Sequence, residues 1–169
     1  DVLTLTSLPA FDPNDFATGI DRATWNQLNT DKLRPLQNRA IQGRYSPGST
    51  FKIVVATAAL EEGVITPERQ IYCPGGGTFY GRFFKCHLAR GHGSLNLQQA
   101  IEQSCDVYFY QLGLKLGLNR LVAGGIKLGA GNRSGIDLPN DNRPEFPTEP
   151  VADYFNRKYT ARGWSGNSP

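Results

Sequence analysis

Apolar residues fall into two long helical patterns. The run between 51 and 62 is rich in Ala and Val, is apolar on most sides and ends at Gly63, which predicts a buried helix over 51–62. A second apolar stripe predicts a helix over 95–117, with an interruption at 104–106. The stripe consists of Leu97, Ile101, Phe109, Leu112 and Leu116. Residues 119–128 predict a further helix, which the following glycines end.

Weaker patterns surround these helices. Alternation over 2–6 predicts the end of a strand, and 24–31 predicts a short helix. The Gly-rich stretch 71–93 predicts short strands and loops that something must hold together. Residues 143–169 are polar, Pro-rich and weakly patterned, and predict no regular element.

Composition limits the class of protein. The 169 residues are 39% hydrophobic and 20% charged, which is typical of a globular domain. The net charge of +3 is spread over interleaved signs with no basic run, which argues against nucleic-acid binding. The sequence contains no stretch of 18 apolar residues, the length that a helix needs to span a bilayer. Because the chain lacks Met and opens in mid-domain sequence, we expect 1–169 to be part of a longer protein.

Ser49 and Lys52 are the candidate chemical groups at the start of the first helix. Pro47 and Gly48 mark a turn just before it. Residues three apart share a helix face, so the Lys52 amine is expected to reach the Ser49 hydroxyl and act as its base. The alternative, non-catalytic interpretation is that Lys52 is a surface lysine one turn from a helix cap. A second hydroxyl motif, Ser104-Cys105-Asp106, favours the catalytic interpretation.

The three cysteines suggest a metal site. Cys73, Cys86 and Cys105 fall within 33 residues, in the order Cys-x12-Cys-x5-His-x12-Cys with His92. Three thiols and one imidazole form a tetrahedral zinc set, and an odd number of cysteines cannot pair completely. Two alternatives to a zinc site remain open: three buried free thiols, or one disulfide and a free thiol. His87 is the competing imidazole; because it adjoins Cys86, we expect it to be a solvated loop residue.

These motifs resemble those of class B penicillin-binding proteins of the elongation type. The resemblance runs nearly end to end. It includes Phe11-Asp12-Pro13-Asn14, Pro35-Leu36-Gln37-Asn38-Arg39-Ala40, Tyr45 to Lys52, Gly63-Val64-Ile65-Thr66, Gly91-His92-Gly93, Ser104 to Gly113 and Gly135-Ile136-Asp137-Leu138-Pro139. It implies an α/β penicillin-binding and β-lactamase-like fold, here an incomplete, mostly helical portion with a zinc-stapled subregion at 71–106.

The resemblance also implies a role for each site residue. Ser49 is the acylated nucleophile, Lys52 its base, and Ser104 the relay of a proton to the leaving amine. Asp106 stands where many relatives carry Asn, which leaves its role open. Related proteins carry Asp, His or Cys near the positions of Cys73, Cys86, His92 and Cys105, like a ligand set. The family's third motif, Lys-Thr-Gly, does not occur in this sequence.

The implied function is peptidoglycan D,D-transpeptidation through a serine acyl-enzyme. The implied partners are peptidoglycan stem peptides, β-lactam antibiotics and elongation-complex membrane proteins such as a glycosyltransferase. We expect the site on the periplasmic side of the bacterial inner membrane, held by an N-terminal anchor outside this chain. A β-lactamase, a D,D-carboxypeptidase or a β-lactam-binding sensor would share the first two motifs.

Overall fold

The computed structural model describes residues 2–139, 145–147 and 151–159, which fall into two compact units. The first contains residues 2–46 and 133–139. The second contains residues 47–132 together with 145–147 and 151–159. All candidate site residues lie in the second unit.

The first unit contains three short helices. They are α1 (Asn14–Ala17), α2 (Arg22–Thr30) and α3 (Arg39–Gln42). Helix α2, which the pattern over 24–31 predicted, begins where the Asp21 carboxylate accepts hydrogen bonds from the N–H groups of Ala23 and Thr24.

The predicted strand end at 2–6 is wrong. No strand forms in the described residues of the first unit, and Val2, Leu3 and Leu5 are exposed. Alternating apolar residues form a strand only where a partner edge supplies hydrogen bonds, and no described edge does so here.

The second unit holds five α-helices and four short strands among the described residues. The helices are α4 (Phe51–Glu61), α5 (Leu97–Glu102), α6 (Asp106–Leu116), α7 (Leu118–Lys127) and α8 (Val151–Tyr159), and a 3₁₀ turn at Gly48–Thr50 leads into α4. The strands are β1 (Ile71–Cys73), β2 (Gly76–Phe79), β3 (Arg82–Lys85) and β4 (Gly93–Leu95). The helices predicted over 51–62, 95–117 and 119–128 are therefore present, including the interruption. No helix in the described residues combines the length and hydropathy needed to cross a bilayer.

Helix α4 lies at the centre of the helical core. It packs against α6 and α7 through a face of small residues that includes Val55, Ala56 and Ala59. The predicted burial of α4 holds for this face, whereas Ile53 on another face is 53% exposed. The described chain covers one side of the helix only. Ser49, in the turn that leads into this helix, is thus held by a packed element and is still exposed.

The four strands form two antiparallel pairs, β1 with β4 and β2 with β3. Phe79 pairs with Arg82 across a two-residue turn, and both turn residues, Tyr80 and Gly81, have positive φ. Two positive φ values indicate the type I′ turn that suits a twisted hairpin. The short strands and loops predicted for 71–93 are confirmed.

The C-terminal prediction is wrong within the described residues. Helix α8 occupies 151–159, where the weak pattern predicted no element. Its polar sequence becomes helical beside α7, so a tertiary contact overrides a weak local preference. Of the remaining range, 143–144, 148–150 and 160–169 lie outside the described residues.

Candidate active site

Ser49 lies in the 3₁₀ turn that leads into α4. Gly48 begins this turn with φ +53°, a conformation in which an L side chain is strained. The Thr50 hydroxyl donates to the Pro47 carbonyl at 2.6 Å and closes the turn. The Ser49 hydroxyl is consequently presented at the amino end of a packed helix, where unpaired N–H groups favour developing negative charge.

Ser104 lies at the break between α5 and α6 and contacts Ser49 directly. Its hydroxyl donates to the Ser49 hydroxyl at 3.0 Å. The Ser104 backbone has φ +50°, which is uncommon for a non-glycine residue and costs about 1–3 kcal/mol. This left-handed residue ends α5 and turns the chain so that its side chain faces α4.

Lys52 donates three hydrogen bonds, which equals the number of protons on an ammonium group. Its Nζ lies 2.7 Å from the Ser104 carbonyl oxygen, 2.9 Å from the Ser104 hydroxyl and 2.7 Å from Asp106 Oδ1. The lysine side chain is only 12% exposed. No hydrogen bond joins Lys52 to Ser49 among the described residues; both side chains bind the hydroxyl of Ser104. The Lys52 side chain reaches across to α6 instead of lying along its own helix.

Asp106 is the first residue of α6 and binds Lys52 through one carboxylate oxygen. Burial raises the pKa of this carboxyl. The hydrogen bond and charge of Lys52, with the N–H of His87, outweigh burial and hold the pKa below its ordinary value of 3.8. Asp106 is therefore a carboxylate at neutral pH, and the start of α6 favours that charge.

A cavity of about 550 Å³ opens beside Ser49 and Lys52. Aromatic side chains of the β2–β3 hairpin and of α6 form much of its wall, namely Phe79, Tyr80, Phe84, Phe109 and Tyr110. The polar groups that face it, Ser49, Lys52 and Asp106, come from the two helix starts. This combination of an apolar wall with a few converging polar groups is typical of a ligand site.

The four predicted metal ligands lie together next to these catalytic candidates. The ligand atoms of Cys73, Cys86, His92 and Cys105 are all within 4.8 Å of one another. His92 Nδ1 is 3.5 Å from Cys73 Sγ and 3.6 Å from Cys86 Sγ. Ordinary zinc bond lengths place tetrahedral nitrogen and sulfur ligands about 3.6 Å apart. No disulfide joins the cysteines.

The chemistry of these four groups also fits a cation. Burial raises the pKa of the Cys105 thiol to about 12, so its thiolate needs a nearby positive charge. Burial also acts to raise the pKa of the Cys86 thiol. Hydrogen bonds from the N–H groups of Leu88, Val107 and Asp106 outweigh burial, so the pKa lies below its ordinary value. Burial and the charge of His87 lower the pKa of His92, which favours the neutral imidazole that binds metals.

Two glycines let the ligand loops approach each other. Gly75 and Gly91 have φ values of +98° and +77°. A Cβ atom on Gly75 would clash with the Ala89 carbonyl, and one on Gly91 with the Cys73 carbonyl. The His92 N–H also donates to the Cys73 carbonyl at 3.1 Å. The Gly-rich composition of this stretch thus permits backbone contacts that bring the ligands together.

His87 has contacts that a solvated loop residue would lack. Its side chain is 53% exposed, as predicted, but its backbone N–H donates to Asp106 Oδ2 at 3.1 Å. Its Nδ1 also lies 3.7 Å from the same oxygen. With Cys86 and Asp106 it forms a second group of possible metal ligands. Its place directly after Cys86 was the sequence signal that it lies near the site.

The comparisons with known proteins agree with this geometry. A family described as penicillin binding protein transpeptidase domain matches residues 1–160. Peptidoglycan D,D-transpeptidase MrdA of Escherichia coli (strain K12) is 40% identical over 149 residues, which cover 87% of this chain and 24% of the relative. The chain therefore spans about a quarter of the length of that curated relative.

Two solved structures are similar along nearly the whole chain. Pseudomonas aeruginosa PBP2 in complex with WCK 5153 is 34% identical, with a TM-score of 0.86 over 99% of this chain and 36% of that one. Helicobacter pylori PBP2 in complex with MreC is 33% identical, with a TM-score of 0.84 over 94% of this chain and 29% of that one.

Proposed function

This chain belongs to the penicillin-binding protein transpeptidase family, and on that premise we propose that it carries the serine acyl-transfer site of a peptidoglycan D,D-transpeptidase. The observation that supports this most directly is the continuous contact from Ser49 through Ser104 to Lys52 and Asp106. A nucleophile in contact with a proton acceptor that a third group orients is the arrangement that covalent catalysis requires.

The first half-reaction forms the acyl-enzyme. Ser49 Oγ attacks the carbonyl of the penultimate residue in a peptide that ends in D-Ala-D-Ala. Its proton passes to Ser104 Oγ, while the Ser104 proton passes to Lys52 in its neutral form. The tetrahedral intermediate then collapses, the peptide bond breaks, and the terminal D-Ala leaves with a proton returned from Lys52 through Ser104. The 3.0 Å and 2.9 Å contacts support this route.

The second half-reaction transfers the acyl group. The amine of a second stem peptide attacks the ester carbonyl, and the same chain of groups accepts its proton and reprotonates Ser49. One oxyanion donor is the backbone N–H of Ser49, at the helix start. Asp106 remains ionised throughout. Its role is to hold Lys52 beside Ser104, which the 2.7 Å ion pair supports.

β-Lactams would acylate Ser49 by the same attack, which provides the test. The full-length protein and its Ser49→Ala variant are incubated with a fluorescent penicillin, and the covalent label is measured after denaturation. We expect label on the wild type and none on Ser49→Ala, whereas Ser94→Ala, at an exposed strand position, should label normally. Label that survives Ser49→Ala would remove this residue from its role. A long-lived adduct separates the transpeptidase from a β-lactamase.

We further propose a structural zinc ion held by Cys73, Cys86, His92 and Cys105. Four protein ligands leave no open position, so the zinc would stabilise the fold and take no part in proton transfer. Cys105 directly precedes Asp106, and Cys86 directly precedes His87. Ligation would therefore hold both backbone segments that meet at the Asp106 carboxylate.

The partners and the location follow from the proposed reaction. The substrates are peptidoglycan stem peptides, which places the site on the periplasmic side of the inner membrane. The Helicobacter pylori relative was solved in complex with MreC. We therefore propose that membrane proteins of the elongation complex, including a glycosyltransferase, bind the protein to which this chain belongs. Cross-linking in cells followed by identification of the linked proteins tests this, and the absence of any such protein would contradict it.

A further inference from the structure

The two oxygens of the Asp106 carboxylate are bound by different donors. Lys52 Nζ donates to Oδ1 at 2.7 Å, and the backbone N–H of His87 donates to Oδ2 at 3.1 Å. His87 is 19 residues from Asp106 in sequence and lies in the loop after β3. The predicted roles of the site residues assign no part in the reaction to this second contact.

The second contact restricts how the carboxylate can turn. A carboxylate bound through Oδ1 alone can rotate about its Cβ–Cγ bond, because nothing then fixes the position of Oδ2. A donor on the opposite oxygen fixes the plane of the group and leaves Oδ1 directed at Lys52. A hydrogen bond to an ionised acceptor is also among the stronger ones in proteins.

The donor is held firmly by its own neighbours. The Cys86 N–H donates to the Gly75 carbonyl at 2.9 Å, which fixes the chain just before His87. Cys86 is 5% exposed and contacts His92 within the cysteine cluster, the group of Cys73, Cys86, His92 and Cys105. A backbone N–H anchored in this way loses little freedom when it binds Asp106. The His87 ring also lies near Oδ2, but its Nδ1 is 3.7 Å away, beyond hydrogen-bond distance, and the side chain is 53% exposed.

We infer that His87 is a positioning residue for the proposed acyl transfer, acting through its backbone N–H, which holds Asp106 so that Lys52 stays beside Ser104. This inference depends on the proposed function. It assigns the effect to the main chain, so the imidazole itself is dispensable. The His87 N–H thereby joins the cysteine cluster to the group that orients the base.

Two substitutions at this position separate the N–H from the ring. His87→Ala removes the ring and keeps the N–H, whereas His87→Pro removes the N–H. Acylation of the full-length protein is followed over a range of fluorescent penicillin concentrations, which separates the binding constant from the acylation rate constant. We expect His87→Ala to keep the rate constant within about threefold, and His87→Pro to lower it about tenfold to a hundredfold, with the binding constant unchanged.

Ala89→Pro is the matched control. Ala89 follows Leu88 in a turn closed by the Gly91 N–H, at a position that proline favours, and its own N–H donates to no protein group among the described residues. Ala89→Pro should acylate like the wild type. Equal slowing in both proline variants, or equal slowing in His87→Ala and His87→Pro, would overturn the inference, as would a normal rate constant in His87→Pro.

A further variant covers the case in which His87→Pro loses its metal or its stability, which zinc content and the thermal midpoint report. Lactic acid at position 87, the ester analogue of alanine, removes the same N–H without a proline ring. Its acylation rate constant should fall below that of His87→Ala, and equal rate constants refute the role. If the wild type itself is not labelled at Ser49, the proposed function fails; if it is labelled and these variants match it, only the role of His87 fails.

Discussion

The hydroxyl oxygens of Ser49 and Ser104 lie 3.0 Å apart although 55 residues separate them in the chain. Lys52 follows Ser49 by three residues, yet its amine binds Ser104 and Asp106. The Ser104 hydroxyl therefore binds both Ser49 and Lys52. In the proposed reaction, a proton that leaves Ser49 passes to Lys52 through this second hydroxyl.

This path predicts a large effect of Ser104→Ala on acylation. Loss of the hydroxyl leaves no group between Ser49 and Lys52, so the acylation rate constant with penicillin should fall about a hundredfold to ten-thousandfold. Stopped-flow or gel-based labelling of the full-length protein measures it. The thermal midpoint reports whether the variant folds. Acylation that remains within a few-fold of the wild type in a folded Ser104→Ala variant would argue for direct transfer to Lys52.

The metal proposal predicts different outcomes for the two histidines. Full-length protein purified without added metal should contain about one zinc per chain. His92→Ala should lose most of this zinc and melt at a lower temperature, because three thiols are then left without the fourth ligand. His87→Ala should keep it. Elemental analysis and thermal melting measure both, and a zinc content near zero in the wild type would rule the site out.

The packing of α6 predicts opposite outcomes for two leucines on one helix. Leu112 is fully buried, whereas Leu114 is 47% exposed. Leu112→Ala should lower the free energy of unfolding by about 2–5 kcal/mol, because it leaves a cavity beside α4. Leu114→Ala should change it by about 0.5 kcal/mol or less. Urea unfolding of both variants checks this; a similar loss in both would mean that the buried face of α6 has been assigned wrongly.

The cap of α2 predicts a dependence of stability on pH. Hydrogen bonds from the Thr24 hydroxyl and from the Thr24 and Ala23 N–H groups lower the pKa of Asp21 below its ordinary value of 3.8. Because the folded chain holds the carboxylate form, its contribution is complete above that value and is lost as pH falls through the lower folded pKa.

Asp21→Asn is the control for this cap, since Asn also caps helices but does not titrate. The difference in thermal midpoint between wild type and Asp21→Asn should favour the wild type near pH 6 and shrink as pH falls below about 4. A difference that stays constant across this range would contradict the assignment of the shift to Asp21.

Much of the second unit could be predicted because its signals are local. The Ala- and Val-rich run over 51–62, the interruption at 104–106 and the Gly-rich ligand loops each depend on residues near in sequence. Helix α4, the α5–α6 break and β1–β3 lie where these patterns place them. Of the apolar stripe, Leu97, Phe109, Leu112 and Leu116 are buried, whereas Ile101 is 38% exposed. Within α5, Ala100 rather than Ile101 shares the buried face with Leu97.

The sequence alone identified the candidate groups: the Ser49 and Ser104 hydroxyls, the Lys52 amine, the Asp106 carboxylate and the proposed metal ligands. Tertiary structure alone decided how they connect, because side-chain direction depends on packing between elements distant in the chain. The three-residue spacing predicted a contact between the side chains of Lys52 and Ser49. The crossing of α4 with α6 directed it to Asp106 instead, and the loop after β3 brought the His87 N–H to the other oxygen of that carboxylate.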